Sequence, residues 1–525
     1  MIDQHSTHQL ATYADTVRRG AARNPDGVAL ICGEAQRTWW QLWERSCQVA
    51  QALLATTGAP SARHRIAFLG RNSIEFFELL YGASLAGATP VGVNWRLSPE
   101  EVLAVLDDAA PSLLFLDEEF LPLLSKIEAG LISALPVVVL GSNGADSSAQ
   151  PDFESWLAGH LTVAPQTTTR ADDVAILTYT SGTTGQPKAA MHSVAAIAAS
   201  FELADFLEIS SDTVALIATP VFHATAAGTV AMVLNAGGHC VIARDSVPAN
   251  LARLIAQHQI TMTILVPTII AMLLDSPDVN EADLESLQTL VYTASPIAPE
   301  LLRRALDRLP TVRFVQVYGS TECLGATVLS AEEQRDHGGT AGRPMPGVDL
   351  RVVDAVTGMP LDEGTPGEIW VRSPTIMSGY WNRQAETHHA ITPDGFVRTG
   401  DIGVLRDGYL TLLDRARDMI ISGGENIFPI EIETVLNSHP EVAEAAVIGV
   451  PSAKWGETVM AVVVPVPGHQ LDEAALMAYA RVRLASYKCP SAIRTVEALP
   501  RNASGKVLKT VLRGPYWQGR ERPIG

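Results

Sequence analysis

Apolar positions along this chain fall into two alternating kinds of block. Tyr13, Val17 and Ala21 recur at helical spacing, and Leu42, Cys47, Val49 and Leu53 repeat it more loosely, so residues 10–60 are predicted to be helical. Residues 66–69 (Ile-Ala-Phe-Leu) form a short apolar run ending at Gly70-Arg71-Asn72, the pattern of a buried strand. Residues 73–88 are apolar enough for a helix with two buried faces, and residues 89–93 restart a strand. Ser98-Pro99-Glu100-Glu101 reads as a helix start, with Ser98 as N-cap, Pro99 at the first helical position and Glu101 closing a capping box. Residues 113–116, 137–140 and 174–177 are further strands. Strands alternating with helices predict a largely parallel α/β sheet, and the alternation continues to about residue 330. Residues 141–150 are a polar loop and 332–347 an irregular stretch, whereas 350–371 alternate in the manner of a small antiparallel sheet or barrel. Residues 418–525 form a separate α/β unit of common domain size.

Composition narrows the class. A chain of 525 residues with 47% hydrophobic and 18% charged residues can bury a large core, which excludes global disorder. A net charge of −19 argues against non-specific binding to nucleic acid or anionic membrane, but leaves room for a local cationic site. Cys32, Cys47, Cys240, Cys323 and Cys489 are odd in number and contain no Cys-x-x-Cys pair, so neither a disulfide framework nor a zinc site is expected. The opening Met-Ile-Asp-Gln-His-Ser has no basic start or apolar core, and the expectation is a cytoplasmic protein without a signal peptide. The longest apolar run, residues 260–274, contains Pro267 and falls short of the roughly 20 residues a bilayer needs. It reads as a buried strand, turn and helix, so no integral membrane association is expected.

The chemistry concentrates in a few stretches. Residues 178–188 read Thr-Tyr-Thr-Ser-Gly-Thr-Thr-Gly-Gln-Pro-Lys and follow an apolar strand. Thr180, Ser181, Thr183 and Thr184 place hydroxyls around Gly182 and Gly185, where the backbone can turn tightly and aim N–H groups at an anion. Lys188 adds a positive charge, and the whole suits a polyphosphate. A Ser/Thr/Gly linker has the same composition but needs neither the strand before nor the Pro-Lys after. A Walker A loop ends in Gly-Lys-[Ser/Thr], whereas Lys188 stands between Pro187 and Ala189. Further along come Tyr318-Gly319-Ser320-Thr321-Glu322 after the predicted strand 312–317, then Thr399-Gly400-Asp401, then Asp414-Arg415-Ala416-Arg417 leading to Ser422-Gly423-Gly424. Lys454-Trp455-Gly456-Glu457 and Ser504-Gly505-Lys506 complete the series. An aromatic face for a base, a hydroxyl for a phosphate oxygen and a hard carboxylate for a hard cation make chemical sense together at 318–322.

In this order and spacing the motifs resemble those of the adenylate-forming superfamily: acyl-CoA synthetases, amino-acid adenylation domains and beetle luciferases. The resemblance runs from about Tyr13 to Arg513 and is strongest to bacterial fatty-acyl-CoA synthetases. It implies an α/β fold with a large N-terminal domain of parallel sheets plus a small β-rich subdomain (1–416), and a small mobile C-terminal α/β domain (417–525). It implies ATP, Mg²⁺ and CoA. By position, ATP would be held by Thr180, Ser181, Gly182, Thr183, Thr184, Gly185, Lys188, Ser295, Tyr318, Gly319, Thr321, Asp401 and Arg415, with Tyr318 on the adenine and Asp401 on the ribose. Glu322 and Thr184 would hold the metal, and Lys506 would be the adenylation lysine, so that Lys506, Thr184 and Glu322 form the catalytic set. Arg417 falls at the hinge, and Ser422, Gly423, Gly424 and Trp455 along CoA. Asp414 and Ala189 stand where the family usually has glycine.

The resemblance also maps an acyl pocket onto 223–228, 292–295 and 323–326, with His223, Ala227, Ala294 and Gly325 as walls. Amino-acid-activating relatives tend to have Asp at the position of His223, where it pairs with the substrate ammonium. His223 cannot do so, and an unpaired buried charge is costly. The expected substrate is therefore a carboxylic acid without an α-amino group. Small apolar walls favour a medium-chain fatty acid, with an aryl or alicyclic acid as the alternative. A ligase that loads a carrier protein is a rival within enzymes, and a nucleotide-sensing protein without chemistry a rival outside them. A homodimer is compatible with the sequence, which offers no argument for or against it.

Overall fold

The computed structural model describes residues 12–57, 64–124, 135–141, 151–180, 187–415, 418–422, 425–452, 454–469, 471–501 and 507–518, with 415, 425 and 426 described by backbone alone. Two sheets build the larger part. One has seven strands in the order Gly379–Tyr380, Lys188–Ser193, Val174–Thr180, Thr89–Val93, Arg65–Leu69, Leu113–Asp117 and Val137–Leu140. The last five are parallel, and the first two are antiparallel additions at the edge. The other sheet has nine strands, running Arg343–Pro344, Leu324–Leu329, Arg313–Ser320, Thr289–Tyr292, Met262–Leu265, Val214–Ile217, His239–Ile242, Val28–Cys32 and Ala35–Thr38. Its six central strands, from Arg313–Ser320 to Val28–Cys32, are parallel.

One hydrophobic core takes residues from both sheets and from the helices Trp39–Thr57, Ile74–Ala86 and Ala224–Ala236 between them. Ile74–Ala86 shows why the sequence there is apolar on every side. The Ser73 side chain caps its start, Gly87 ends it at φ 68°, and Phe76, Phe77, Leu79, Leu80, Tyr81 and Ala83 are all buried. A Cβ on Gly82 would strike the Val49 side chain, so glycine lets this helix lie close against Trp39–Thr57. The same helix buries a carboxylate completely. Glu78 is 0% exposed and accepts from Arg37 at 2.7 Å and Arg45 at 3.0 Å, and Arg45 also forks onto Glu154. The predicted capping box at Ser98 and Glu101 is present, and the run 260–274 is the strand Met262–Leu265 followed by the helix Pro267–Asp275.

Asn72 joins the two sheets. It lies just past Arg65–Leu69 and is 4% exposed. Its Nδ2 donates to the carbonyls of Thr219 and Ala243 at 2.9 and 3.0 Å, and its Oδ1 accepts from the Val221 N–H at 2.9 Å. Thr219 and Ala243 follow two adjacent strands of the nine-stranded sheet, so one side chain ties three strand ends together.

The alternating segment seen at 350–371 belongs to an antiparallel sheet of four strands, Asp349–Val353, Gly367–Arg372, Val397–Arg406 and Tyr409–Arg415. Residues 332–347, expected to be irregular, include the short helix Gln334–His337 and the strand Arg343–Pro344. Gln334 is buried there because the Tyr292 hydroxyl, at 2.8 Å, and the Leu329 carbonyl, at 3.0 Å, both bond its amide. The C-terminal unit has its own sheet, with Glu425–Ile427, Ile420–Ser422, Gly456–Pro465 and Val442–Ser452 in order and Ala492–Thr495 parallel to Gly456–Pro465. Its helices Pro429–Asn437 and Glu473–Arg483 cover an apolar core of their own. The expected boundary at 416/417 lies outside the described residues.

Asn72→Ala should strand two buried carbonyls and one buried N–H. At about 1–3 kcal/mol for each buried polar group left unpaired, partly offset by relaxation, the expected loss is about 3 kcal/mol. Urea unfolding followed by tryptophan fluorescence measures it, and an unchanged midpoint would show that Asn72 does not hold the sheets together.

Candidate active site

Three antiparallel hairpins meet at the carboxyl ends of the parallel strands, where open α/β sheets place their ligands. The first is Val174–Thr180 with Lys188–Ser193. The strand runs past the predicted end at 177 to Thr180, which pairs with Lys188 and thereby closes the base of the 181–186 loop. Ser181, Gly182, Thr183, Thr184 and Gly185 lie outside the described residues. The second hairpin is Arg313–Ser320 with Leu324–Leu329. Here Gly319 is dictated by space, since any Cβ would overlap the Leu324 carbonyl across the hairpin. Leu324 closes the turn at φ 53°, an uncommon conformation for a non-glycine residue. The third is Val397–Arg406 with Tyr409–Arg415, in which Asp401 pairs with Arg415 across the ladder. Thr399-Gly400-Asp401 is thus part of a strand rather than a turn, with Gly400 at φ 67°.

Side chains from these hairpins touch. The Tyr318 hydroxyl donates to Asp401 Oδ2 at 2.9 Å, and both residues are 8% exposed. Burial, with the Asp401 charge beside it, pushes the Tyr318 hydroxyl well above its ordinary pKa, so it stays protonated and donating. Glu322 Oε1 accepts from the Tyr380 hydroxyl at 2.8 Å, and Lys188 Nζ sits 5.6 Å from the centre of the Tyr380 ring. His192 Nε2 lies 2.7 Å from the Thr321 carbonyl oxygen, and the Glu322 carbonyl accepts from the Met377 N–H at 2.8 Å. Thr180, Lys188, Tyr318, Gly319, Thr321, Glu322, Asp401 and the backbone of Arg415 are therefore brought together by these hairpins. His192, Tyr380 and Asn72 were missed. A lone His in a strand and a Gly-Tyr pair at a sheet edge have no local signature, since their roles depend on pairing with residues far away in sequence. No cluster of three His, Cys, Asp or Glu able to hold a metal occurs among the described residues. A single carboxylate beside a polyphosphate fits Mg²⁺, which takes most of its ligands from phosphate and water.

Around the expected acyl pocket, His223 precedes the helix Ala224–Ala236 and leans on Phe222, their rings 4.5 Å apart. Its Nε2 is shut away from solvent without a hydrogen-bond partner. Burial, helped by Arg96, pushes the imidazole down to about 4, so it is neutral at physiological pH. Ala227 is buried in the main core, Ala294 is exposed at φ 71°, Ser295 follows it half-buried, and Gly325 faces Leu203 and Met345. Tyr292, expected along the same wall, instead turns its hydroxyl into the core toward Gln316 and Gln334. Beside residues 218–220, Arg71, Arg96 and Arg244 line one hollow of the surface. The Arg71 and Arg96 guanidiniums each lie 4.6 Å from the Trp95 ring centre, Arg71 pairs with Glu119 at 2.7 Å, and Arg244 with Asp117 at 2.9 Å.

In the C-terminal unit, Ser422 pairs with Gly456, which sets it beside Trp455. Trp455 is 50% exposed, with Lys454 Nζ 4.4 Å from its ring centre. Asp414 is more than a substitute for glycine. Its Oδ2 accepts from the Ile430 N–H at 3.2 Å, in the first turn of Pro429–Asn437, and lies 3.9 Å from Lys509 Nζ. Gly423, Gly424, Arg417 and Lys506 lie outside the described residues. No helix among the described residues is long and apolar enough to cross a membrane.

Residues 17–381 match the family model described as AMP-binding enzyme, and residues 431–506 match the AMP-binding enzyme C-terminal domain. Among curated proteins, the fatty acid–[acyl-carrier-protein] ligase of Streptomyces coeruleorubidus is 36% identical over 100% of both chains. The feruloyl-CoA synthase of an Amycolatopsis species is 36% identical over 94% of this chain and 97% of its own. Among solved structures, ATP-bound MatB from Rhodopseudomonas palustris superimposes with a TM-score of 0.88 at 30% identity, covering 96% of this chain and 99% of that one. Acyl-CoA ligases of this family use ATP, Mg²⁺ and CoA. With one family model matched over residues 17–381 and a second over 431–506, the chain belongs to the AMP-binding enzymes, the adenylate-forming superfamily, close to the fatty-acyl-CoA synthetases.

Proposed function

We propose that this chain is an acyl-CoA synthetase that joins a carboxylic acid without an α-amino group to free CoA, with a medium-chain fatty acid as its preferred substrate. In the first step a carboxylate oxygen attacks the α-phosphorus of ATP, forming acyl-AMP and releasing pyrophosphate. In the second the CoA thiol attacks the acyl carbon, AMP leaves with the C–O bonding pair, and the thiol proton passes to solvent. Thr180, Lys188 and Thr321, with the 181–186 loop, bind the phosphates. Tyr318 and Asp401 fix the nucleoside, and Lys506 neutralises charge on the carboxylate and α-phosphate as it shifts. Glu322, oriented by Tyr380, would hold Mg²⁺ together with Thr184. When bound, that ion neutralises the pyrophosphate leaving group. In the second step the small domain turns about Arg417, taking Lys506 out and bringing Ser422, Gly423, Gly424 and Trp455 to the pantetheine.

The observation that carries the substrate class is the neutral His223 beside Arg96. An α-ammonium would find no anion there and would meet a cation, whereas a neutral acyl chain meets small apolar walls. The hollow lined by Arg71, Arg96 and Arg244 supports free CoA, whose nucleotide has several phosphate charges, over a carrier-bound pantetheine with one phosphodiester. A second reading rests on the buried, unpartnered Nε2 of His223, which a phenolic hydroxyl would satisfy. That favours a hydroxylated aryl acid, such as the acid named for the feruloyl-CoA synthase among the relatives.

Each buried methylene contributes about 0.8 kcal/mol, so the apparent affinity of linear acids should rise roughly fourfold per carbon until the pocket is full. Pyrophosphate exchange across linear and aryl acids reads this. A maximum at acetate or propionate would exclude a roomy apolar pocket, and a maximum at hydroxyaryl acids would select the second reading. Acyl-CoA should accumulate without any carrier protein, and its absence would favour the carrier alternative.

Lys506→Ala should cripple pyrophosphate exchange far more than thioester formation from supplied acyl-AMP. Equal loss in both half-reactions would contradict a lysine that serves only the first.

His223 also makes stability depend on pH. Its folded pKa of about 4 lies below the ordinary 6.5, so between these values the unfolded chain binds more protons and stability rises with pH. This contribution is complete above about 6.5 and is lost as pH falls through 4. His223→Phe should flatten that part of the stability–pH curve measured by denaturant unfolding, and an unaltered curve would show that the ring is not held neutral.

A further inference from the structure

Three consecutive carbonyls in the 321–323 turn are each held by a donor from outside the hairpin that contains them. Thr321 O accepts from His192 Nε2 at 2.7 Å, Glu322 O from the Met377 N–H at 2.8 Å, and Cys323 O from the Thr375 hydroxyl at 3.0 Å. The last two donors come from one nearby segment. His192 comes from the strand Lys188–Ser193, which returns from the 181–186 loop, so its bond crosses from the seven-stranded sheet to the nine-stranded one. The ring is 0% exposed. A carbonyl oxygen only accepts, so Nε2 carries the proton. Burial holds the imidazole below its ordinary pKa and therefore neutral. A buried imidazole with one fixed tautomer, in a strand locked by its ladder, makes a rigid spacer.

We infer that His192 is a positioning residue for adenylation. It sets the separation between the phosphate hairpin and the turn that presents Thr321 and Glu322, so that groups from two different sheets close on the same triphosphate. The inference rests on the reading of Thr321 and Glu322 as phosphate and metal contacts. It assigns His192 no contact with substrate and no proton transfer. Its effect is geometric and belongs to the first half-reaction, because on that reading Glu322 serves the metal and the pyrophosphate that leaves in that step. A histidine that only filled the core would matter equally to both half-reactions.

The test uses the full-length enzyme and two assays, ATP–pyrophosphate exchange with the preferred acid and thioester formation from synthetic acyl-AMP and CoA. In His192→Gln the side-chain amide N–H can take the place of Nε2–H. In His192→Asn it falls at the position of Nδ1 and does not reach Thr321. The two variants are equally polar, so burial of an amide costs both alike. A misplacement of about 1 Å can cost on the order of 100-fold, so His192→Asn should lose about 10- to 100-fold in exchange, with a raised KM for Mg·ATP. Its thioester formation from acyl-AMP should be preserved, and His192→Gln should recover most of the exchange rate. Equal activity in the two variants, or equal loss in both half-reactions, would overturn the inference. Glu322→Gln is the control: undiminished exchange there would overturn the reading of the site itself, and this inference with it.

Discussion

The Asn72 amide reaches from the end of one sheet to two strand ends of the other, and all three of its bonds are to backbone. The consequence is geometric. A parallel sheet offers its ligand-binding edge only at the carboxyl ends of its strands. Two such sheets can serve one ligand only if those edges are held in register. The apolar core between them is non-directional and would tolerate a slide, whereas a buried amide with three partners in fixed directions does not. Glu78 acts similarly at a different place. With its charge fully buried, it holds Arg37 and Arg45 and so links Ile74–Ala86 to the neighbouring helix and strand. Such a pair is weak evidence for stability but opposes alternative packings, because breaking it leaves a charge uncompensated.

Much of the scaffold was legible because its signals are local. The capping box at Ser98, the apolar run into Thr180 and the strand–turn–helix at 260–274 all follow from spacing and residue type, and each is present. The candidate nucleotide residues could be named from the sequence because they occur in short motifs. What local spacing does not show is which strands become neighbours. Tyr380 meets Glu322 only because Gly379–Tyr380 adds to the edge beside Lys188–Ser193, nearly two hundred residues away in sequence. His192 meets Thr321 only because a return strand of one sheet lies against a turn of the other. Tyr292 fell within the stretch that the resemblance mapped to the acyl pocket, and only the fold shows its hydroxyl turned toward Gln316 and Gln334. Asp414 was read as a bare departure from glycine, and only the fold reveals the helix N-terminus that it meets.

The site divides labour between two kinds of strand. The parallel strands are short, apolar and buried, and contribute rigidity and direction. The groups read as nucleotide contacts stand where a strand pairs with an antiparallel return: Thr180 opposite Lys188, Tyr318 and Gly319 opposite 325–327, and Asp401 opposite Arg415. A parallel strand must leave the sheet through a long crossover, whereas an antiparallel return comes straight back. Consecutive polar residues can then be displayed at a strand end without entering the core. Gly319 shows the price of that closeness, a position where no side chain fits.

On the proposed reading, electrostatics separates the two ends of the reacting acid. On the nucleotide side of that reading, Lys188, the hydroxyl groups and Glu322 form a polar surface in which every carbonyl of the 321–323 turn is already engaged. On the acyl side, His223 is neutral and Arg96 is the nearby charge, and neither offers an anion to an ammonium group. The only strongly anionic part of a simple carboxylic acid is its head. On the proposed reading, an ammonium group would find no anion beside His223, while Lys188 on the nucleotide side offers a cation to the carboxylate head.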